Sequence, residues 1–394
     1  MLLKSKLYLL NQSLGNLQNY ESNYVFVIGR KTNDHKLNSF QKIGFINLNK
    51  NKKIILKTEK SLKWLKRIEN EGDKWDINNN KELIPNMCNK NNNGWYTIKK
   101  DLAIKNGEIT LLWGCGIKER DKAFKNKIYS WNDLNFNPDI LGLTNYKKQI
   151  LKNIISINNF ENELLIRPRK IKNYDNIKLI ESHNIEYYVD FETINNLNDK
   201  FNSNINNSMI FMIGCIAKIK IDNKTIIEFQ EFTVDHLNKS EELKILKKWI
   251  NFMEILEYKY KCNKKPNIYH WSNAEKNQYK NAKKNHKYTE LSNLNFVDIL
   301  EIFTSEPIVL KNTYEYGLKE ISKKMYEYKM INTIWDDQDI DGREAMLYAW
   351  TSESIVKNNN SIQNNKLIKD IKKYNYFDCK VLEEIIDYIR KKLL

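Results

Sequence analysis

The sequence predicts an α/β protein whose C-terminal half forms a mixed sheet flanked by helices, preceded by a small N-terminal α/β unit and a helical connector. Three observations carry this expectation. Apolar runs of strand length cluster after residue 185, segments of helical spacing separate them, and the order to the C-terminus reads βββαβαβα. With 394 residues and 41% hydrophobic content, the chain is long enough for two or three domains, each with its own core. The expected boundaries are 1–94, 95–165 and 180–394.

In the first unit, Tyr24 to Ile28, Lys42 to Asn47 and Lys53 to Leu56 are short apolar or alternating runs, and Ser61 to Glu69 has helical spacing. Asn78 to Asn93, rich in Asn and broken by Pro85, reads as a loop. From Trp95 to about Phe160 the pattern is mainly helical, punctuated by Gly114 and Gly116. Ile166 to Asn176, with Pro168 among basic residues, is the expected linker. Beyond it come strands at Glu186–Phe191, Met209–Ile221 and Thr225–Val234, the last two joined by an Asp222-Asn223-Lys224 turn. A helix follows over Ser240–Tyr260, with Ser240 as its cap. Then come a strand at Asn267–Trp271, a helix at Ala274–Asn285, a strand at Phe296–Leu300, and helices to the end.

The balance of 65 basic against 49 acidic residues, +16 in all, favours a polyanionic partner slightly over the plainer reading of a lysine-rich solvated surface. Five cysteines with no Cys-x-x-Cys pair argue against a disulfide framework or a zinc site and favour a reducing compartment. No apolar run reaches the ~18 residues of a membrane span, and the start MLLKSKLYLLNQS lacks a signal-peptide core. A soluble intracellular protein, cytoplasmic or nuclear, is the expectation.

The chemistry centres on YYVDFET, Tyr187 to Thr193. Asp190 and Glu192 are two apart, so on a strand both project from one face of the sheet. Far downstream, Tyr374, Asn375, Tyr376, Phe377 and Asp378 open an apolar periodic segment, with Tyr374 and Asp378 neighbours on one helix face. Carboxylates converging from different elements suit hard divalent cations such as magnesium, and two ions ~4 Å apart are one route to phosphodiester hydrolysis.

This strand Asp-x-Glu followed by a helical Tyr-x-x-x-Asp resembles the tyrosine-bearing DEDD exonucleases, and the element order resembles the ribonuclease H-like fold. At the fourth strand, Tyr269-His270-Trp271-Ser272-Asn273-Ala274-Glu275 matches the Asn-small step, with Glu275 in place of the usual acid and one residue early. That form is similar to the YprB-like ribonuclease H-like domains of predicted RecB-family nucleases. Tyr316-Gly317-Leu318-Lys319-Glu320-Ile321 and Gly342-Arg343-Glu344-Ala345-Met346 with Trp350 resemble further segments of the same family. The matches run from about Glu186 to Leu394.

The resemblance implies a magnesium- or manganese-dependent 3′ to 5′ exonuclease acting on single-stranded DNA or RNA ends. Asp190, Glu192, Glu275 and Asp378 would hold two Mg2+ or Mn2+ ions, and Tyr374 would orient water. Asp298, in FVDIL, could support the site or reach a metal itself. Asn273, Lys319, Gly114 and Gly116 would contact nucleic acid. A phenol with a pKa near ~10 is a poor base at neutral pH, so Tyr374 positions rather than deprotonates. Plainer readings stand beside these: a solvated strand end for Asp190 and Glu192, a first-turn acid complementing the helix dipole for Glu275, a packed His270, and surface residues for Tyr374 and Asp378.

Asp337-Gln338-Asp339-Ile340-Asp341-Gly342 imitates a calcium loop, but Tyr348 stands where a bidentate Glu is required. Leu111 to Ile117 resembles the hairpin of a helix-hairpin-helix, although Arg120 occupies a position usually small. The family often places a PD-(D/E)xK nuclease first, with a connector that Ile98 to Leu143 resembles. Val25 to Lys31 offers its lysine without the acids, which implies a truncated or inactive unit. Two further functions remain open: a decayed nucleic-acid-binding or scaffold protein, and a structure-specific endonuclease working with a helicase.

Overall fold

The computed structural model of the chain describes residues 2–28, 38, 40–76, 80–89, 94–159, 164–195, 208–222, 224–287, 291, 293–335, 340–356 and 360–394. Lys31 with Gly29 and Arg30, the turn residue Asn223, and positions 337–339 of the calcium-loop-like run lie outside them. The chain divides into two units, Met1–Ile84 and Pro85–Leu394.

The first unit contains α1 (Leu2–Gln18), an antiparallel pair β1 (Tyr24–Ile28) and β2 (Ile43–Asn47), and α2 (Lys52–Glu71). Its small core gathers Tyr8, Val25 and Leu48, with Ile46 and Ile55 against them. The apolar run expected as extended chain at Lys53–Leu56 is instead the start of α2. Ile54, Ile55 and Thr58 recur three and four apart and turn toward the interior, so helical spacing outweighs the local β-branched content.

The second unit opens with α3 (Tyr96–Lys105), α4 (Ile117–Lys125) and α5 (Asn145–Asn159), followed by β3 (Ile166–Arg167) and α6 (Tyr174–Ile180). Ile109, Leu141, Ile150 and Ile154 from this helical segment share one apolar core with Phe303, Leu310 and Ile386 further along the chain. The segment expected as a linker is tied down, since Ile166 and Arg167 pair with β9 (Val309–Leu310).

The main sheet comprises β4 (Ile185–Ile194), β5 (Met209–Ile221), β6 (Lys224–Thr233), β7 (Asn267–His270) and β8 (Phe296–Asp298), in the order β6-β5-β4-β7-β8. The first three are antiparallel neighbours, and β7 and β8 continue the sheet parallel to β4. Between and after them run α7 (Lys239–Lys259), α8 (Ala274–Asn285), α9 (Ile299–Ser305), α10 (Leu318–Glu327), α11 (Gly342–Ile355) and α12 (Lys366–Lys392). The pleat of β4 sends Tyr187, Val189 and Phe191 to a core shared with Trp249 and Met253 of α7. Its other face, bearing Glu186, Tyr188, Asp190 and Glu192, lies under α12, whose Arg390 and Asn375 bond Glu186 and Asp190.

Three boundaries differ from expectation for one reason: a polar side chain decides the end of an element. Asn238, not Ser240, caps α7, accepting the Glu241 N–H at 3.1 Å. Asp298 ends β8 early because its carboxylate accepts the Leu300 N–H at 2.9 Å and starts α9, so Leu300 is helical. Asn365 caps α12 at Lys366, which places Tyr374 in the third turn and not at the head of the helix. Among the described residues no helix is long and apolar enough to cross a membrane.

Candidate metal centre

β4 and α12 together bring Asp190, Glu192 and Asp378 into one cluster, one carboxylate oxygen from each lying within 4.8 Å of the others. Glu192 and Asp378 are only 6% and 4% exposed, and Asp190 is half-buried. The strand supplies its two acids through the two-residue repeat, and the helix supplies the third across the seam.

Asn375 sets the approach of helix to strand. Its Nδ2 donates to the Asp190 carbonyl at 3.1 Å and to the Asp190 Oδ2 at 2.7 Å, fixing that carboxylate. Gly214 sits opposite Asp190 on β5, and a Cβ there would lie 1.8 Å from Asn375 Oδ1. Only a residue without a side chain lets α12 come this close. Sequence reasoning missed both residues, although a glycine inside the unbroken apolar run MIFMIGCIAKIKI is the signal of a close approach.

Burial raises the pKa of every acid in the cluster. Asp190 is pushed up to about 7, by burial first and the Glu275 charge second, with the Asn375 hydrogen bond opposing. Glu192 rises well above its ordinary value through burial and then the charges of Asp190 and Glu275. Asp378 does so through burial and then Asp190 and Glu192. Lys319 pulls Glu192 and Asp378 back down. Its ammonium lies 4.8 Å from the centre of the Tyr374 ring, and the Tyr374 hydroxyl donates to the Asp378 carboxylate. Burial and these acids hold the phenol protonated. At an effective dielectric of ~20, each ionised pair at this spacing repels by about 3 kcal/mol. The donors are all oxygen, buried and like-charged, a set that fits a hard divalent cation and is strained without one.

Glu275, in the first turn of α8, stands outside the triad. Its Oε2 is 3.2 Å from His270 Nδ1, and burial, then the Asp298 charge, raises it to about 8. His270 is fully buried, and burial lowers its pKa, which keeps the ring neutral beside Glu275. Among the described residues its Nε2 has no hydrogen-bond partner. Asp298 is also outside the triad. Its Oδ1 accepts the N–H groups of Ser272 at 2.8 Å and Leu300 at 2.9 Å, which stabilises Ser272 at φ 71° in the turn between β7 and α8. Asp298 therefore builds the turn that presents Glu275.

Asn273 is exposed at the N-cap of α8, two residues before Glu275. Gly114, at φ 73°, lines a cavity of about 350 Å³ with Trp113 and Tyr316. The Gly116 N–H is taken by Glu119 Oε2 at 2.9 Å, and Arg120 pairs with the buried Glu108 at 3.3 Å. Asp341 caps α11 by accepting from the Arg343 and Glu344 N–H groups. Compared with protein-family models, curated proteins and solved structures, the chain matches none.

Proposed function

We propose that the chain is a metal-dependent nuclease with a ribonuclease H-like fold, hydrolysing phosphodiester bonds of single-stranded DNA or RNA from the 3′ end. The observation that carries this reading is the buried Asp190, Glu192 and Asp378 triad with the Tyr374 hydroxyl on Asp378. The strand order β6-β5-β4-β7-β8, antiparallel then parallel, supports the fold. Asp190, Glu192 and Asp378 would hold Mg2+ or Mn2+, and Glu275, whose charge reaches Asp190 and Glu192, is available to a second ion. Such ions supply Lewis-acid polarisation of the phosphoryl oxygen and a nucleophile at neutral pH.

The protein's own groups then orient and balance charge. Asn375 locks the Asp190 rotamer. The protonated Tyr374 phenol gives its one proton to Asp378, one helical turn away, which leaves its oxygen to accept from a water and so position it. Lys319 offsets negative charge beside the triad, and neutral His270 holds Glu275.

The test is cleavage of end-labelled linear and circular single strands of DNA and RNA with Mg2+ or Mn2+. Stepwise shortening of linear strands only, lost in Asp190→Asn and Asp378→Asn, is expected. Intact substrates with either metal would refute the activity, and cut circles would replace the exonuclease with an endonuclease. The engagement of Glu275 by His270, apart from the triad, favours a second reading: a catalytically silent nucleic-acid-binding protein. Mn2+ titration separates them, because a silent site would leave affinity unchanged in Asp190→Asn.

A further inference from the structure

The basic segment Arg167-Pro168-Arg169-Lys170-Ile171-Lys172 borders a cavity of about 400 Å³ beside α5. Among the described residues, its walls carry four cations, Arg167, Arg169, Lys170 and Lys172, and no acid; Leu164 and Pro168 add apolar surface. The volume lies in the range of small-ligand pockets.

The segment that carries these cations is pinned at four places. β3 pairs with β9. The Arg167 guanidinium donates to Ser156 Oγ of α5. The Ile171 N–H donates to the Leu393 carbonyl at 2.8 Å. Glu306 accepts the N–H groups of Lys172 at 3.3 Å and Asn173 at 2.7 Å, so its carboxylate is engaged by the backbone. Arg169, Lys170 and Lys172 remain exposed, and among the described residues no ion pair engages them. Glu161 and Glu163 precede the strap outside the described residues, and the four cations outnumber them. A fixed backbone with solvent-facing cations beside an apolar wall matches what a polynucleotide presents: a repeating phosphate charge with sugar and base alongside. β9 continues toward α10, which carries Lys319 to the acid triad. One strand end and one backbone grip thus belong to the same unit.

We propose that this strap grips the phosphodiester backbone of the strand whose end enters the acid centre. The strap's role as a substrate grip rests on the nuclease reading, but its binding chemistry does not. The probe is full-length protein binding fluorescent dT20 or rU20 in EDTA, followed by anisotropy across a salt series. Arg169→Glu with Lys170→Glu is expected to weaken binding at least tenfold. The slope of log affinity against log salt should fall by ~1.4, from ~0.7 per phosphate contact on single strands. Arg169→Lys with Lys170→Arg should keep both near the parent values. Unchanged affinity and slope in the charge-reversed variant, or no binding by the parent, would overturn the proposal. Equal displacement of the oligomer by millimolar inorganic phosphate or a free mononucleotide would overturn it in favour of a small-anion site. A reduced slope without any cleavage would sink only the nuclease reading; cleavage with an unchanged slope would sink only the strap.

Discussion

Replacing Gly214 with Ala tests the packing that creates the acid centre. The added Cβ would fall 1.8 Å from Asn375 Oδ1, 2.8 Å from its Cγ and 3.1 Å from Cys379 Sγ, all on one face of α12. These atoms are fully buried, so either Asn375 leaves its place or the helix lifts. Overpacking of this kind costs about 1–3 kcal/mol. Losing the bond from Asn375 to the Asp190 carboxylate adds about 1.5–3 kcal/mol. The lower backbone entropy of alanine in the unfolded chain offsets about 0.5–1 kcal/mol. A net destabilisation of about 1.5–5.5 kcal/mol follows, measured by urea melts followed through tryptophan fluorescence. Mn2+ affinity should fall roughly tenfold because a supporting partner of Asp190 is displaced. The decisive measurement is a double-mutant cycle with Asn375→Ala, which opens the space that the new methyl needs. Gly214→Ala should cost less in that background, with a coupling of about 1–2 kcal/mol. Additive effects, or a Gly214→Ala variant within ~0.5 kcal/mol of the parent, would refute the contact.

Metal-free stability should fall as pH rises from about 5 to 8. Asp190 at about 7 and Glu275 at about 8 lie above the ordinary carboxylate range near ~4, so the folded state binds more protons across that window and loses stability as they leave. Calorimetry should show Mg2+ or Mn2+ raising Tm most at pH 8, and a flat metal-free profile would contradict the raised values. Tyr374→Phe should lower kcat roughly tenfold to a hundredfold, a loss of about 1.4–2.7 kcal/mol, measured at saturating Mn2+; an unchanged kcat would remove the positioning role. Arg390→Ala should cost about 3–5 kcal/mol in urea melts by leaving the buried Glu186 without its cation, now held through two bonds of 2.8 Å, and with only the Tyr188 hydroxyl and the His183 N–H. Pairing that change with Glu186→Leu should recover much of the loss, and failure to recover would point to packing instead.

Much of the second unit is legible because periodicity reports burial. Met209–Ile221 and Ala274–Asn285 have the expected bounds, the first as a continuous apolar run buried on both faces, the second by helical spacing of its buried residues. The Asp190 and Glu192 pairing follows from the two-residue strand repeat, and Tyr374 with Asp378 from the helical one. What escaped was set by contacts between distant segments. Nothing local marks Asn375 as the residue that orients Asp190, because its role exists only where Gly214 makes room for it. Asp298 reads as an acid on a strand, whereas its oxygen is spent on two backbone N–H groups. The basic strap reads as a linker because its pairing partner, Val309–Leu310, is more than a hundred residues away and only two residues long.

The seam between α12 and the sheet changes its chemistry at every turn. Asp378 meets Asp190 and Glu192, Asn375 and Cys379 meet Gly214, Glu383 and Asp387 clasp Lys218 at 2.5 Å, and Arg390 meets Glu186. Sliding the helix by one turn would set Leu382 in the place of Asp378, Glu383 in the place of Cys379 beside the glycine, and Leu394 in the place of Arg390 over Glu186. Such an aperiodic sequence of partners works as a ruler with uneven marks, which admits one alignment. The spacing of oxygens at the acid centre is therefore calibrated by an ion pair twelve residues away on the same helix, roughly 18 Å along its axis.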